Sequence, residues 1–169
     1  GPLGQPTPLD GKKKVAVIGG GLGTAIAYPQ AKKLHNLGAD VTVIAGFRNK
    51  DLVILEDELK EITDKLIITT DDGSNGTQGF VTDMLEKEII AGEKFDEVIA
   101  IGPLVMMKFV CKLTEKYDIP TMVSMNPVMI DGTGMCGACR VTVGGKTKFV
   151  CVDGPEFDGH EVDFDGMMQ

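Results

Sequence analysis

The 169-residue chain has no tryptophan, two tyrosines and two histidines, and aromatic residues make up only 5% of it. Its core must therefore be built mainly from aliphatic side chains, and a hydrophobic content of 43% is ample for that and excludes a disordered chain. No apolar run approaches the roughly 18 residues needed to span a bilayer, so no membrane partner is expected. No signal-like segment is read ahead of the first apolar run. An excess of positive charge is missing too. Seventeen Lys and Arg face 25 Asp and Glu, a net charge of −8, opposite in sign to a nucleic-acid-binding surface. The acids are dispersed, without an acidic tail. Cysteines are scarce, four in all, and three of them fall between Cys136 and Cys151. Such clustering argues against a scattered disulfide framework and for metal binding in a reducing compartment. The expected location is cytoplasmic.

What is present is alternation. Residues 14–18 form a short apolar run ending in three glycines, which reads as a buried parallel strand. Residues 24–37 have helical spacing, closed by Gly38. Strands are expected at 41–45, 66–70, 98–101 and 121–124, alternating with helices at 52–62, 80–91 and 104–117. Five strands alternating with four helices specify an α/β fold with a five-stranded, doubly wound parallel sheet, because right-handed crossovers put helices on both faces. The rhythm stops near Asn126, where the chain becomes glycine-rich. Residues 141–143, Gly144-Gly145 and residues 146–150 read as a β-hairpin. The expected division is a dinucleotide-binding domain over 1–125 and a small subdomain over 126–169. The latter is too short for its own apolar core and in need of a staple such as a metal cluster. Cys111, alone in a helical pattern, reads as a core thiol.

The clustered cysteines follow Cys136-x2-Cys139-x11-Cys151. Plant-type [2Fe–2S] sites follow C-x4-C-x2-C…C, and the position five residues before Cys136 holds Asp131. A carboxylate oxygen can ligate iron, though less strongly than thiolate. Gly132, Gly134 and Gly137 are the small residues a loop needs to wrap around inorganic sulfide, leaving backbone N–H groups free to bond the sulfurs and tune the potential. Asp131, Cys136, Cys139 and Cys151 are thus the candidate metal ligands. Two plainer readings stand beside this one. Asp before Gly is a common turn former. Three cysteines with His160 as fourth ligand would also suit structural zinc, although such sites normally pair two knuckles and only one C-x2-C is present.

A second motif, Gly19-Gly20-Gly21-Leu22-Gly23-Thr24-Ala25, joins the first strand to the first helix. Glycines there let backbone approach a pyrophosphate at a helix N-terminus; they equally suit a tight strand–helix turn. It is not a clean G-x-G-x-x-G, and the second strand ends in Ala45-Gly46-Phe47-Arg48 without the acidic residue of the usual dehydrogenase fingerprint. Other strand ends point the same way: Asp71 and Asp72 after the third, Gly102-Pro103 after the fourth. Ligands of open parallel sheets bind beyond those carboxyl ends. Asp71 or Asp72 can accept from ribose hydroxyls or serve as solvated loop acids. Arg48 suits the adenosine end, a 2′-phosphate, or bulk solvent.

The order Gly19-Gly20-Gly21-x-Gly23-x-Ala25, Gly46-x-Arg48, Thr70-Asp71-Asp72-Gly73, Gly102-Pro103 and the cysteine tail resembles the ferredoxin reductase-like electron-transfer subunits over roughly residues 1–165. Two branches share these motifs: the small subunit of NADH-dependent ferredoxin:NADP oxidoreductase (sulfide dehydrogenase) and the electron-transfer subunit of dihydroorotate dehydrogenase B, which serves pyrimidine biosynthesis. The resemblance implies an FAD-binding β-barrel ahead of this sequence, joined by a Gly-Pro-Leu-Gly linker that Gly1-Pro2-Leu3-Gly4 matches, though a tag-removing protease leaves the same four residues. It implies NAD(H) or NADP(H) bound at Gly19, Gly20, Gly21, Gly23, Thr24, Arg48, Asp71, Asp72, Gly102 and Pro103. It also implies electrons passing through FAD and the cluster to a larger flavin or iron–sulfur subunit. These residues alone are not expected to turn over. Asp131 stands where the dihydroorotate branch has Cys, which favours the other branch. Ile101 stands where many relatives carry a Cys before Gly-Pro, so hydride transfer would rely on positioning rather than on a thiol beside the nicotinamide. The rival from another class is a zinc-stabilised nucleotide-binding module.

Overall fold

The computed structural model describes residue 1 and residues 3–168. Pro2 of the linker match lies outside the described residues.

The apolar runs become strands buried on both faces. β1 (Lys14–Gly20) leads into α1 (Gly23–Asn36), β2 (Asp40–Phe47), α2 (Glu56–Ile62), β3 (Lys65–Thr70), α3 (Val81–Ile90), β4 (Glu97–Ile101), α4 (Leu104–Lys116) and β5 (Thr121–Ser124). Side chains alternate between two cores. Val15, Val17, Val41, Val43 and Ile99 pack under α1 and α2 with Leu34 and Leu59, while Ala16, Ile18, Ile44, Val98 and Val123 pack under α3 and α4 with Leu85 and Met107. This period of two is what a parallel sheet covered on both faces requires. Fully burying one such Leu or Ile contributes about 1.5–3 kcal/mol.

The strand order is β3-β2-β1-β4-β5, with all four pairings parallel as expected, and a sixth, antiparallel strand, β8 (Glu156–Asp158), beside β5. That strand corrects the five-stranded expectation. Val123 pairs with Phe157, and Gly159 passes so close to α4 that a Cβ there would lie 2.5 Å from Cys111 Sγ. Cys111 is buried, as expected of a core thiol, and burial pushes its pKa up to about 12.

The expected helix over 52–62 is also corrected. A 3-10 turn covers Lys50–Leu52, and α2 starts only at Glu56, because Leu55 takes a left-handed conformation at φ 57° and breaks the run. In the tail, β6 (Arg140–Val143) and β7 (Lys146–Phe149) form the expected hairpin, turning through Gly144 and Gly145, both at positive φ. Val150 is not part of β7; it opens α5 (Val150–Asp153), and α6 (Phe164–Met167) ends the described chain. The apolar side chains of the tail, Cys139, Val141, Val143, Val150, Cys151, Val162 and Phe164, join the cluster under α4.

Candidate functional site

β1 and β4 are neighbours whose following helices lie on opposite faces of the sheet, which opens a crevice beyond their carboxyl ends. Backbone fills its floor. A Cβ on Gly23 would lie 2.4 Å from Ile101 O, one on Gly20 2.5 Å from Met106 Sδ, and one on Gly102 3.0 Å from Gly20 Cα. These glycines are needed so that the β1–α1 and β4–α4 turns can touch. Gly21 differs: its φ is +54° and nothing lies within 4 Å of a Cβ there, so its backbone faces open space. Thr24 is fully buried, below Gly19 and outside both clefts described next, and its Oγ1 has no hydrogen-bond partner among the described residues.

Two clefts share the wall made by Gly20, Gly21 and Pro103. The first, of about 560 Å³, continues over Gly46, Arg48 and Asp71 to Phe80, Val105 and Phe109. The last three are exposed by 66%, 54% and 54% and together form an apolar wall of the cleft. Arg48 makes no ion pair among the described residues. Asp72, by contrast, is used within its own turn. Its Oδ1 accepts from the Ser74 N–H at 3.0 Å, and the Ser74 hydroxyl and N–H hold its carboxyl below the ordinary Asp range. Of the two acids, only Asp71 lines the cleft. Sequence reasoning missed the apolar wall. Its signal was present in residues 104–111, whose apolar positions cover more of the helix than one buried stripe requires.

The second cleft, of about 770 Å³, runs from Gly20–Gly23 past Ile26 and Met129 to Val150 and Cys151. Beyond it lies the cysteine loop. Gly132, Gly134 and Gly137 all take positive φ, which winds residues 131–139 tightly. A Cβ on Gly134 would strike Val152 Cγ2 at 2.7 Å, so the loop rests on the turn that carries Cys151. Cys139 and Cys151 are buried, with sulfurs 3.3 Å apart, well beyond the roughly 2.05 Å of a disulfide, and Cys136 is exposed; all are free. Backbone N–H groups of Ala138 and Cys151 point at the sulfurs of Cys136 and Cys139, each at 3.5 Å. The Cys151 N–H favours the thiolate of Cys139 and lowers its pKa, while burial raises that of Cys151.

This donor set fits an iron–sulfur cluster. Among the described residues no three Cys, His, Asp or Glu side chains converge on one centre, for zinc or for iron, so the kind of donor and its spacing, not a closed site, favour the cluster. His160, the fourth ligand of the zinc reading, instead directs Nε2 at Thr114 Oγ1 on α4, 2.9 Å away. Asp131 performs the turn role. Its oxygens accept the Thr133 and Cys136 N–H groups, both at 2.8 Å, and the Thr133 bond leads in holding its carboxyl below the ordinary range. Each carboxylate oxygen retains a further lone pair.

Two family models match the chain: the oxidoreductase NAD-binding domain over residues 17–112, and the iron–sulfur cluster binding domain of dihydroorotate dehydrogenase B over residues 126–163. An uncharacterized protein in the adh 3′ region of Clostridium beijerinckii is 52% identical over 178 residues, spanning 100% of this chain and 60% of its own. A dihydroorotate dehydrogenase B (NAD(+)) electron transfer subunit homolog from Thermotoga maritima is 50% identical over 169 residues, spanning 100% of this chain and 59% of its own. Among solved structures, a chain of the NADH-dependent reduced ferredoxin-NADP oxidoreductase, described for flavin-based electron bifurcation, superposes with a TM-score of 0.91 at 49% identity. That match covers 99% of this chain and 60% of the other. The chain thus spans about three-fifths of the length of the curated relatives it matches.

Proposed function

This chain belongs to the oxidoreductase NAD-binding domain family, and on that premise we propose that it is the nucleotide- and cluster-carrying part of the electron-transfer subunit of a flavin/iron–sulfur oxidoreductase. Residues 1–125 bind NAD(H) or NADP(H), and residues 126–169 hold a [2Fe–2S] cluster. FAD belongs to a domain outside these 169 residues, in keeping with the greater length of the relatives. The observation that carries the reading is that Cys151 and the glycine turn line one cleft.

The chemistry these groups supply when bound is hydride transfer at the nicotinamide and single-electron storage at the cluster. This chain's residues hold and orient them. The open backbone at Gly21 and the N-terminus of α1 receive the pyrophosphate. Arg48 adds positive charge, Asp71 accepts from ribose hydroxyls, and Phe80 and Phe109 exclude water from the apolar end. Ile101 leaves no thiol ahead of Gly102, so alignment beside the flavin is the work of the shared wall at Gly20, Gly21 and Pro103. Cys136, Cys139, Cys151 and Asp131 are the four ligands, with the N–H groups of Ala138 and Cys151 compensating sulfur charge. Val128, Ile130 and Met135, exposed by 71%, 72% and 89% in the segment that leads to Cys136, offer a larger redox subunit an apolar seat.

Anaerobic reconstitution tests the cluster: two irons and two sulfides per chain, with a paramagnetic signal on one-electron reduction, are expected. Stoichiometric zinc, or iron without sulfide, sinks the reading. Asp131→Cys is expected to keep the iron and shift the reduction potential; an unchanged potential and spectrum leave Asp131 a turn former only. A second reading, with dihydroorotate dehydrogenase as the partner, draws on the name of the Thermotoga relative, whereas the 49% identical structure favours a ferredoxin-NADP oxidoreductase. The co-purifying subunit decides between them.

A further inference from the structure

Residues 3–7 precede β1 and belong to no helix or strand, yet they bond three times to the stretch just after Cys151. The Gln5 N–H donates to Gly154 O at 2.6 Å, Gln5 Nε2 donates to Val152 O at 3.0 Å, and Thr7 Oγ1 donates to Glu156 Oε2 at 2.9 Å. Contact is close on both sides of the segment, and at Gly4 it is with backbone. A Cβ on Gly4 would lie 2.3 Å from Gly154 O, and one on Gly132 would lie 2.8 Å from Leu3 Cδ1.

The segment thus touches the cysteine loop at one end and the Cys151 turn at the other. That turn, α5, is only four residues long and cannot satisfy its own terminal groups. Asp153 Oδ2 accepts the Phe149 N–H at its start, 2.7 Å away. Gln5 supplies the donors at its end. Leu3 and Gly4 also wall the cleft shared by the glycine turn and Cys151.

We propose that Gln5 is a positioning residue for Cys151: its side-chain amide and backbone N–H clamp the turn that carries the sulfur and set the direction in which Cys151 faces the iron–sulfur centre. The redox consequence rests on the cluster reading above; the clamp does not. Because the segment is also the way into β1, whatever precedes it in a longer chain is tied mechanically to one ligand of the metal centre.

Two substitutions test this. Gln5→Ala removes the side-chain donor, and Gln5→Glu keeps the size but turns an acceptor toward Val152 O. Thr7→Val, on the same segment but bonded to β8, is the control. Hydrogen exchange on the cluster-free protein should be several-fold faster over residues 150–154 in both Gln5 variants and unchanged in Thr7→Val. In the reconstituted protein, iron release to a chelator should be about 10-fold faster for the Gln5 variants, the low end of the roughly 10–100-fold loss of metal affinity when a group that orients a ligand is removed. The reduced-state g values should shift as well, again without change in Thr7→Val. Unaltered exchange in both Gln5 variants, or the same changes in Thr7→Val, overturns the proposal. Exchange decides the clamp even if wild-type protein takes up no cluster, an outcome that would count against the proposed function instead.

Discussion

The two ends of the cleft that runs from the glycine turn to Cys151 are built on opposite principles. At the nucleotide end, rigidity comes from repetition: parallel strands, two apolar layers, and turns whose backbones touch because Gly20, Gly23 and Gly102 carry no side chains. At the cysteine end there is no repeating element. The loop is shaped by three glycines at positive φ, by Asp131 gathering two N–H groups, and by apolar side chains borrowed from the core under α4. The nucleotide end is held by strand pairing and backbone contact that need no ligand. The other has its thiols and N–H groups ready but leaves its final tightness to what it binds.

That contrast can be broken at several points. The largest effect is expected from Cys151→Ser, which should abolish retention of the cluster on a desalting column while leaving nucleotide affinity, measured by calorimetry, within two-fold (about 0.4 kcal/mol). Parallel loss of both would show the two ends to be one site. Gly23→Ala should do the reverse. Its Cβ meets the Ile101 carbonyl, overpacking costs about 1–3 kcal/mol, and at about 2–4 °C per kcal/mol for a chain this long the melting temperature should fall accordingly. Nucleotide binding should be lost with iron content intact. Arg48→Ala is milder. The guanidinium is exposed, so about 1 kcal/mol is expected, a roughly five-fold weaker Kd that narrows as salt is raised. A Kd that does not move would put Arg48 in solvent.

The smallest effect concerns pH. Asp96 Oδ2 accepts the N–H groups of Lys14 and Lys13 at 2.9 and 2.7 Å, and these bonds, Lys14's first, hold its carboxyl below its ordinary value of 3.8. The folded pKa lies under the unfolded one, so this contribution is complete above the ordinary value and disappears as pH falls through the folded one. The melting temperature should therefore decline in that acid window, and Asp96→Asn should flatten the decline. An equally steep decline in the variant would assign it to other carboxylates.

The strands of the parallel sheet were legible because each is a continuous apolar run bounded by glycine or polar residues, and the hairpin because Gly144-Gly145 permits few other conformations. β8 was not legible. Glu156-Phe157-Asp158 is three residues long, and it is a strand because β5 presents a free edge, which is a fact about another part of the chain. Residues 150–152, Val-Cys-Val, have the composition of a strand; the cap from Asp153 folds them into a turn. Leu55 interrupts a good helical pattern through its own backbone conformation, which spacing does not encode. At the site, the glycines, Arg48 and Asp71 could be marked from strand ends alone. Thr24 could not be separated from them, since its burial under Gly19 depends on how tightly the turn closes. Gln5 could not be found at all, because its partners lie about 150 residues downstream.

The antiparallel strand beside β5 has a consequence for solubility. β5 is four residues of Thr, Met, Val and Ser, and without a neighbour it would offer a row of unpaired N–H and C=O groups to any other extended chain. β8 takes up those groups and leaves Asp158 exposed on the new outer strand, a negative charge that discourages further strand addition. The cysteine tail is thereby also a guard against aggregation, and damage that frees it from the sheet is expected to produce insoluble protein before it produces merely inactive protein.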